Sequence, residues 1–231
     1  MSKPENPDTV IIKNSYYPKG LTEKDIWEYY NNNRKKIIKE VNNNPVLLFL
    51  VTDDQYDPIV KRKWSGSDIK LTEKTFDQYI TGRTLSISME QGERLQYYIL
   101  DIDSTTSNVL ENELKECVRD VIRFYKNMEE IKSIRVTNSS SGYHVYGYLK
   151  NPVTSKQAIQ RLEYVFSSLN NKYDVNIRKN NKKQINIDFS PLYKRGSITV
   201  PYSLTRNGLI CKDITNILDN YKREDSIIPG V

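Results

Sequence analysis

Cysteine is nearly absent. The chain holds two, Cys117 and Cys211, each isolated in sequence, which excludes both a disulfide framework and a zinc site built from paired CxxC thiolates. There is no apolar run of membrane-spanning length and no secretory leader, so membrane insertion is not expected and a reducing cytoplasm is. The one sequon, Asn138-Ser139-Ser140, is then a chance match. No GxxxxGK[ST] loop occurs, which argues against a P-loop NTPase. No internal repeat or Pro/Gly-rich linker divides the chain. Histidine occurs once, as His144.

What is present is ordinary in bulk and uneven in distribution. The 231 residues are 37% hydrophobic and 28% charged, enough for one well-buried domain with two lobes. Seventeen tyrosines reflect coding bias more than function. Thirty-five Lys and Arg against 29 Asp and Glu give +6, which hints at a polyanionic partner. Between Lys172 and Arg195 the bases are Lys172, Arg178, Lys179, Lys182, Lys183, Lys194 and Arg195, the acids only Asp174 and Asp188. A basic-aromatic cluster, Lys61, Arg62, Lys63 and Trp64, lies in a turn-rich region over 52–75. Lys61, Arg62, Lys63, Lys179, Lys182 and Lys183 are therefore candidate nucleic-acid contacts, the alternative being a solvated charged face.

Periodicity supplies the elements. A helix is expected from Thr22, which can cap it with Asp25 at the third position, with Ile26, Tyr29, Tyr30, Ile37, Ile38 and Val41 inward. The continuous apolar run "PVLLFLV" (45–51) reads as a buried strand. A second helix is expected over about 108–125, with Leu110, Leu114, Cys117, Val118, Val121 and Tyr125 as its core stripe. "SIRVT" and "YHVYGYL" read as paired strands around an "NSSSG" loop, with His144, Tyr146 and Tyr148 on one face. A third helix carries Ala158, Leu162 and Phe166 inward, then "QINIDF" and "SITVPYSL" read as strands. The later half, counted from the strand that ends at Asp103, reads β-α-β-β-α-β-β, an α+β layer in which a sheet is covered by helices on one face.

The stretch "YYILDIDS" (97–104) ends a strand with Asp101 and Asp103 on one face and Leu100 and Ile102 on the other. Two carboxylates that close repel, and one resists ionisation unless a cation intervenes. Hard oxygen ligands suit Mg²⁺ or Mn²⁺, although a lone D-x-D fits a solvated acidic turn equally well. Asp188 lies on the outward face of "QINIDF". Three carboxylates with a basic surround are what two-metal phosphoryl transfer requires.

These motifs also carry a resemblance. DID, then S-G-Y-H leading into a strand, then I-D and a downstream P-Y-S-L resemble the archaeo-eukaryotic primase superfamily. Within it, the polymerase domain of the end-joining ligase D and its stand-alone archaeal counterparts are most similar. "NPDTVIIKNSYYPKGLTEKDIWEYY" is similar to that domain's opening, "TNSSSGYHVYGYL" to its strand pair, and "INIDFSPLYKRGSITVPYSL" keeps its spacing from Asp188 to Pro201. The resemblance implies a two-lobed primase-polymerase domain over 1–231, with 1–95 as N-terminal lobe and 96–225 as an RRM-like catalytic lobe. It implies a template-directed nucleotidyltransferase using two Mn²⁺ or Mg²⁺ ions and NTP or dNTP substrates.

Asp101, Asp103 and Asp188 would then hold the metals, with Asp188 also orienting the 3′-hydroxyl. His144 would donate to a phosphate of the nucleotide. The turn of Ser139, Ser141 and Gly142 would offer N–H groups to the triphosphate, and Lys194, Arg195 and Arg206 its countercharge. Expected partners are primer-template DNA with a gap or 3′ overhang, a separate ligase and an end-binding protein.

Departures from the pattern are specific. Ser141 replaces the phosphate-loop Lys, and Asn138 a loop Ser. Thr9 and Glu23 stand where two 5′-phosphate lysines fall, and Ile59 and Val60 near two template-stacking Phe. Priming, in replication or a mobile element, therefore stays beside gap filling in break repair. A non-catalytic RNA-recognition module and a metal-dependent nuclease are the other classes; the former has no use for three acids on its binding face.

Overall fold

The computed structural model describes all residues except 1–3, 5, 53, 54, 105, 107 and 176–182, with the side chains of 55–57 also outside the description. In chain order the elements are β1 (Val10–Ile12), β2 (Leu21–Thr22), α1 (Glu23–Val41), β3 (Val46–Thr52), β4 (Gln55–Lys61), β5 (Lys63–Trp64), β6 (Ser67–Asp68), α2 (Phe76–Tyr79) and β7 (Thr84–Glu90). There follow β8 (Arg94–Ser104), α3 (Glu111–Lys126), β9 (Ile131–Asn138), β10 (Tyr143–Thr154), α4 (Ser155–Val165), β11 (Asp174–Val175), β12 (Ile185–Asp188) and β13 (Ser197–Thr199). The fold is α+β, and among the described residues no helix is long and apolar enough to cross a membrane.

Contacts divide the chain into two compact units. The first joins Met1–Glu90 to Ile198–Lys212 and Lys222–Val231. Its α1 begins as the sequence predicts: Thr22 Oγ1 accepts from the Asp25 N–H, and Asp25 Oδ2 accepts from the Thr22 N–H. That reciprocal pair satisfies donors the first turn would otherwise leave bare. Ile26, Ile37 and Val41 are fully buried along the helix, each contributing about 1.5–3 kcal/mol relative to exposure. A four-stranded sheet of order β13-β7-β3-β4 lies in this unit, its centre the apolar run from Val46. β13 therefore pairs with β7, not with the sheet that the alternating pattern before it builds.

The second unit is Gln91–Ser197 with Asp213–Tyr221. Its five-stranded sheet has the order β11-β12-β8-β10-β9, antiparallel except for β11 with β12. Within β8-α3-β9-β10-α4-β12 the fourth strand lies beside the first and the third beside the second, a split β-α-β arrangement. Both helices lie on one face. Leu100 and Ile102 of β8, Val145 of β10, Val136 of β9 and Ile187 of β12 meet Val118 and Val121 of α3 and Leu162 of α4 in one apolar core. Leu110, expected in the core stripe, is instead 68% exposed. It is the N-cap residue with extended backbone, so the helical repeat starts after it.

Candidate active site

The face of the second sheet away from α3 and α4 carries the polar residues. Cross-strand register sets their neighbours: Asp188 of β12 and His144 of β10 both lie directly opposite Asp101 of β8, and Asn186 opposite Asp103. Directly opposite residues approach within about 4.5–5.5 Å. Asp101, Asp103 and Asp188 are thus brought together from two strands, as the alternation predicts.

Among the described residues no cationic side chain neutralises Asp101. Burial, then the charges of Asp103 and Asp188 and a hydrogen bond with Asp103, hold its carboxyl well above the usual range. Its Oδ1 makes no hydrogen bond and lies 3.5 Å from His144 Nε2. His144 is buried, which pushes its imidazole down to about 3 and keeps it neutral. Its Nδ1 lies 3.3 Å from Thr137 Oγ1.

The other two carboxylates are engaged by hydroxyls. Asp103 Oδ1 accepts from Ser141 Oγ at 2.9 Å. Asp188 accepts from the Ser190 N–H at 2.7 Å and from Ser190 Oγ at 2.6 Å. Among the described residues no three His, Cys, Asp or Glu groups are gathered closely enough to hold a metal ion as they stand. The donor chemistry nevertheless fits a hard divalent cation: all-oxygen ligands, mutual repulsion, and an Asp101 oxygen with no hydrogen bond.

In the turn before β10 two of the N–H groups expected to meet a phosphate are already engaged. The Ser139 N–H donates to Gly142 O at 2.9 Å, and the Gly142 N–H to Ser139 Oγ at 2.8 Å. Both are spent inside the turn and are not offered to a phosphate. Gly142 is required for another reason: a Cβ there would lie 1.8 Å from Ile102 O and 2.7 Å from Asp103 Oδ1. The turn presses directly on the strand that carries the acids.

Lys194 and Arg195 are exposed just beyond the Ser190–Leu192 turn that follows Asp188, Arg195 in the left-handed region at φ 64°. Arg206 belongs to the first unit, its guanidinium 4.7 Å from the Phe49 ring centre. Lys61 stacks on Trp64 at 4.5 Å, Arg62 pairs with Glu90, and Lys63 is exposed. Lys183 is exposed, its N–H donating to Asp174 at 2.8 Å; Lys179 and Lys182 lie outside the described residues. Lys172, counted with the same basic cluster, pairs with Glu116 and Asp120.

Tyr146 packs edge-on to Tyr97 and parallel to Tyr148 and is buried, so packing accounts for it. Sequence reasoning missed Ser190 and Asn186. The period-two pattern that places Asp188 outward places Asn186 on the same face, and its buried Oδ1 makes no hydrogen bond.

No family model matches the sequence, and no curated protein matches it. The fold is nevertheless of a known class, similar to that of nucleic-acid polymerase domains. The solved polymerase domain of Mycobacterium tuberculosis ligase D, in complex with DNA, superposes with a TM-score of 0.70 over 92% of this chain and 86% of its own. Identity is 18%, so the likeness is one of fold. It agrees with the resemblance read from the motifs.

Proposed function

We propose that this chain is a template-directed nucleotidyltransferase of the primase-polymerase type, built as two lobes with an RRM-like catalytic sheet. The observation that carries the reading is the cross-strand meeting of Asp101, Asp103 and Asp188 within a fold similar to a polymerase domain. The strand order of the second unit supports the RRM-like description.

In this reading the three aspartates hold two divalent cations, Mn²⁺ or Mg²⁺. When bound, such ions lower the pKa of an attacking 3′-hydroxyl and neutralise the triphosphate. Asp188 orients the hydroxyl, and Ser190 fixes Asp188 by two hydrogen bonds. Asp103, which accepts from Ser141, would be one of the ligands. His144, neutral and therefore an N–H donor without charge, serves a phosphate beside Asp101. Lys194 and Arg195, exposed just beyond Asp188 in the same unit, supply countercharge to the triphosphate, and exposed Lys183 is a contact for the DNA backbone. The substrate is primer-template DNA with a gap or 3′ overhang.

One observation bears against recognition of a downstream 5′-phosphate and keeps priming beside end joining. Glu23, where a 5′-phosphate lysine falls in the resembled family, is buried and ion-paired with Arg83, and neighbouring Lys24 faces Glu28 at 4.0 Å. Extension of a labelled primer across a short gap, with Mn²⁺ and either NTP or dNTP, separates these readings. Addition boosted by a downstream 5′-phosphate identifies an end-joining polymerase, and synthesis on an unprimed single strand identifies a primase. Inactivity on both, with tight single-strand binding, overturns the enzymatic reading.

A further inference from the structure

A second site lies on the helix-covered side of the second unit, and its case is independent of the proposed activity. β9 is the outer strand of the five-stranded sheet. Asp213–Tyr221 covers only one end of its free edge: the Ile214 N–H donates to Val136 O at 2.9 Å, and the Val136 N–H to Thr215 Oγ1 at 2.9 Å. The covering segment then turns away through the Ile217 N–H to Ile214 O and Tyr221 N–H to Ile217 O bonds. Lys115 Nζ, buried, holds the departed end on α3 by donating to Tyr221 O at 2.7 Å, and Arg119 pins Asp219 at 2.7 Å.

The rest of the edge opens on a cavity of about 680 Å³, a size that suits a bound ligand. Val136 directs its backbone groups away from β10, so Ile134, two residues back and opposite Gly147 in the same unbroken register, directs its N–H and C=O the same way. These groups face the cavity that Ile134 lines. Ile122 and Ile217 supply its apolar wall, and Ile217 is 41% exposed. Tyr125, fully buried, also lines it, and its hydroxyl has no hydrogen-bond partner. Its ring packs on β10 because position 147 is glycine, where a Cβ would come within 2.9 Å.

Charge selects the occupant. Lys126, Lys132 and Arg119 line the cavity, with Asp219 the one acid, already paired to Arg119. Lys126 and Lys132 are both exposed. We infer that this edge receives an extended acidic peptide of a partner protein, added as a strand beside Ile131–Ile134, with an apolar side chain against Ile122 and Ile217 and carboxylates toward Lys126 and Lys132. Main-chain pairing gives such sites affinity and the alternate side-chain pocket gives specificity; an uncovered edge is otherwise a liability.

The test uses the whole ¹⁵N-labelled chain and an acetylated and amidated peptide Glu-Thr-Val-Thr-Glu, whose alternate residues present the valine and both carboxylates to one face. Saturating peptide should slow amide exchange at Ile134 by about tenfold or more. Replacing glutamate by lysine in the peptide should weaken binding about tenfold, and Lys126→Glu with Lys132→Glu should reverse that preference, both through exposed charge. Binding that leaves the Ile134 amide unprotected, equal binding of both peptides, or no binding at millimolar peptide overturns the inference.

Discussion

Asp101 and Asp120 are both drawn into the second unit, in opposite surroundings. Asp120 Oδ1 accepts from Arg123 at 2.7 Å, and its Oδ2 accepts from Tyr173 at 2.7 Å and Lys172 at 3.1 Å. Every direction in which its charge could be left bare has a donor, and the cluster ties α3 to the segment after α4. Asp101 has two more carboxylates and a neutral imidazole instead. Charge withdrawn from water is stabilised by partners or pushed toward neutrality. A site whose own residues leave the repulsion standing has reserved the compensation for something that arrives. The same contrast reassigns Lys172, whose charge is held up first by its bond to Glu116 and then by Tyr173, from the nucleic-acid cluster to the structural network.

The largest effect tests the unbalanced side. Asp101→Ala or Asp188→Ala should lower nucleotide addition by about 10³-fold or more, since metal ligation supplies several kcal/mol to the transition state, while DNA affinity by fluorescence anisotropy stays within about twofold. A variant that still extends primers at the wild-type rate removes its aspartate from the site.

The balanced side should respond in stability alone. Asp120→Ala takes the acceptor from Tyr173 and Arg123 and leaves Lys172 with Glu116 alone, and should cost about 2–3 kcal/mol in urea unfolding, with activity per folded molecule unchanged.

A smaller effect of opposite sign separates the two aspartates. Asp101→Asn should raise the stability of metal-free protein near pH 7, because asparagine carries neither the repelled charge nor the proton that the folded carboxyl must retain to escape it. The folded Asp101 carboxyl keeps its proton where the unfolded chain has lost it. Its contribution is therefore full below the unfolded value near 3.8 and is lost as pH rises through the folded one. The variant should flatten that decline. Millimolar Mn²⁺ should raise the Tm of wild type and leave that of the variant nearly unchanged.

The last effect, confined to acid, belongs to His144. Its folded value near 3 lies below the ordinary 6.5, so its contribution is present above 6.5 and is lost as pH falls toward 3. His144→Gln should reduce the loss of stability across that interval, measured by thermal unfolding; an unchanged slope would mean the imidazole is protonated in the native state.

Much of this was legible in the sequence, for local reasons. Thr22 and Asp25 announce a helix start because a capping box needs only four consecutive residues. Asp101, Asp103 and Asp188 could be assigned to one face because strand side chains alternate. What escaped depends on pairing at long range. β7 was not anticipated, and β13 joins it in the first unit because hydrogen-bond partners, not local alternation, decide which sheet a strand enters. The return of 213–221 to the edge of β9 leaves no periodic trace. Ser190 also stayed hidden, since its importance lies in where its hydroxyl points.

Gly142 has a consequence beyond its turn. Its missing methyl lets β10 begin flush against Ile102 O, and the carboxylate of Asp103 hangs from the next residue. Any side chain added there must wedge the two strands apart before it touches the acids. The distance across the acidic cluster is thus gauged by an atom that the chain omits, and Gly142→Ala would retune the site while every charged residue stayed in place.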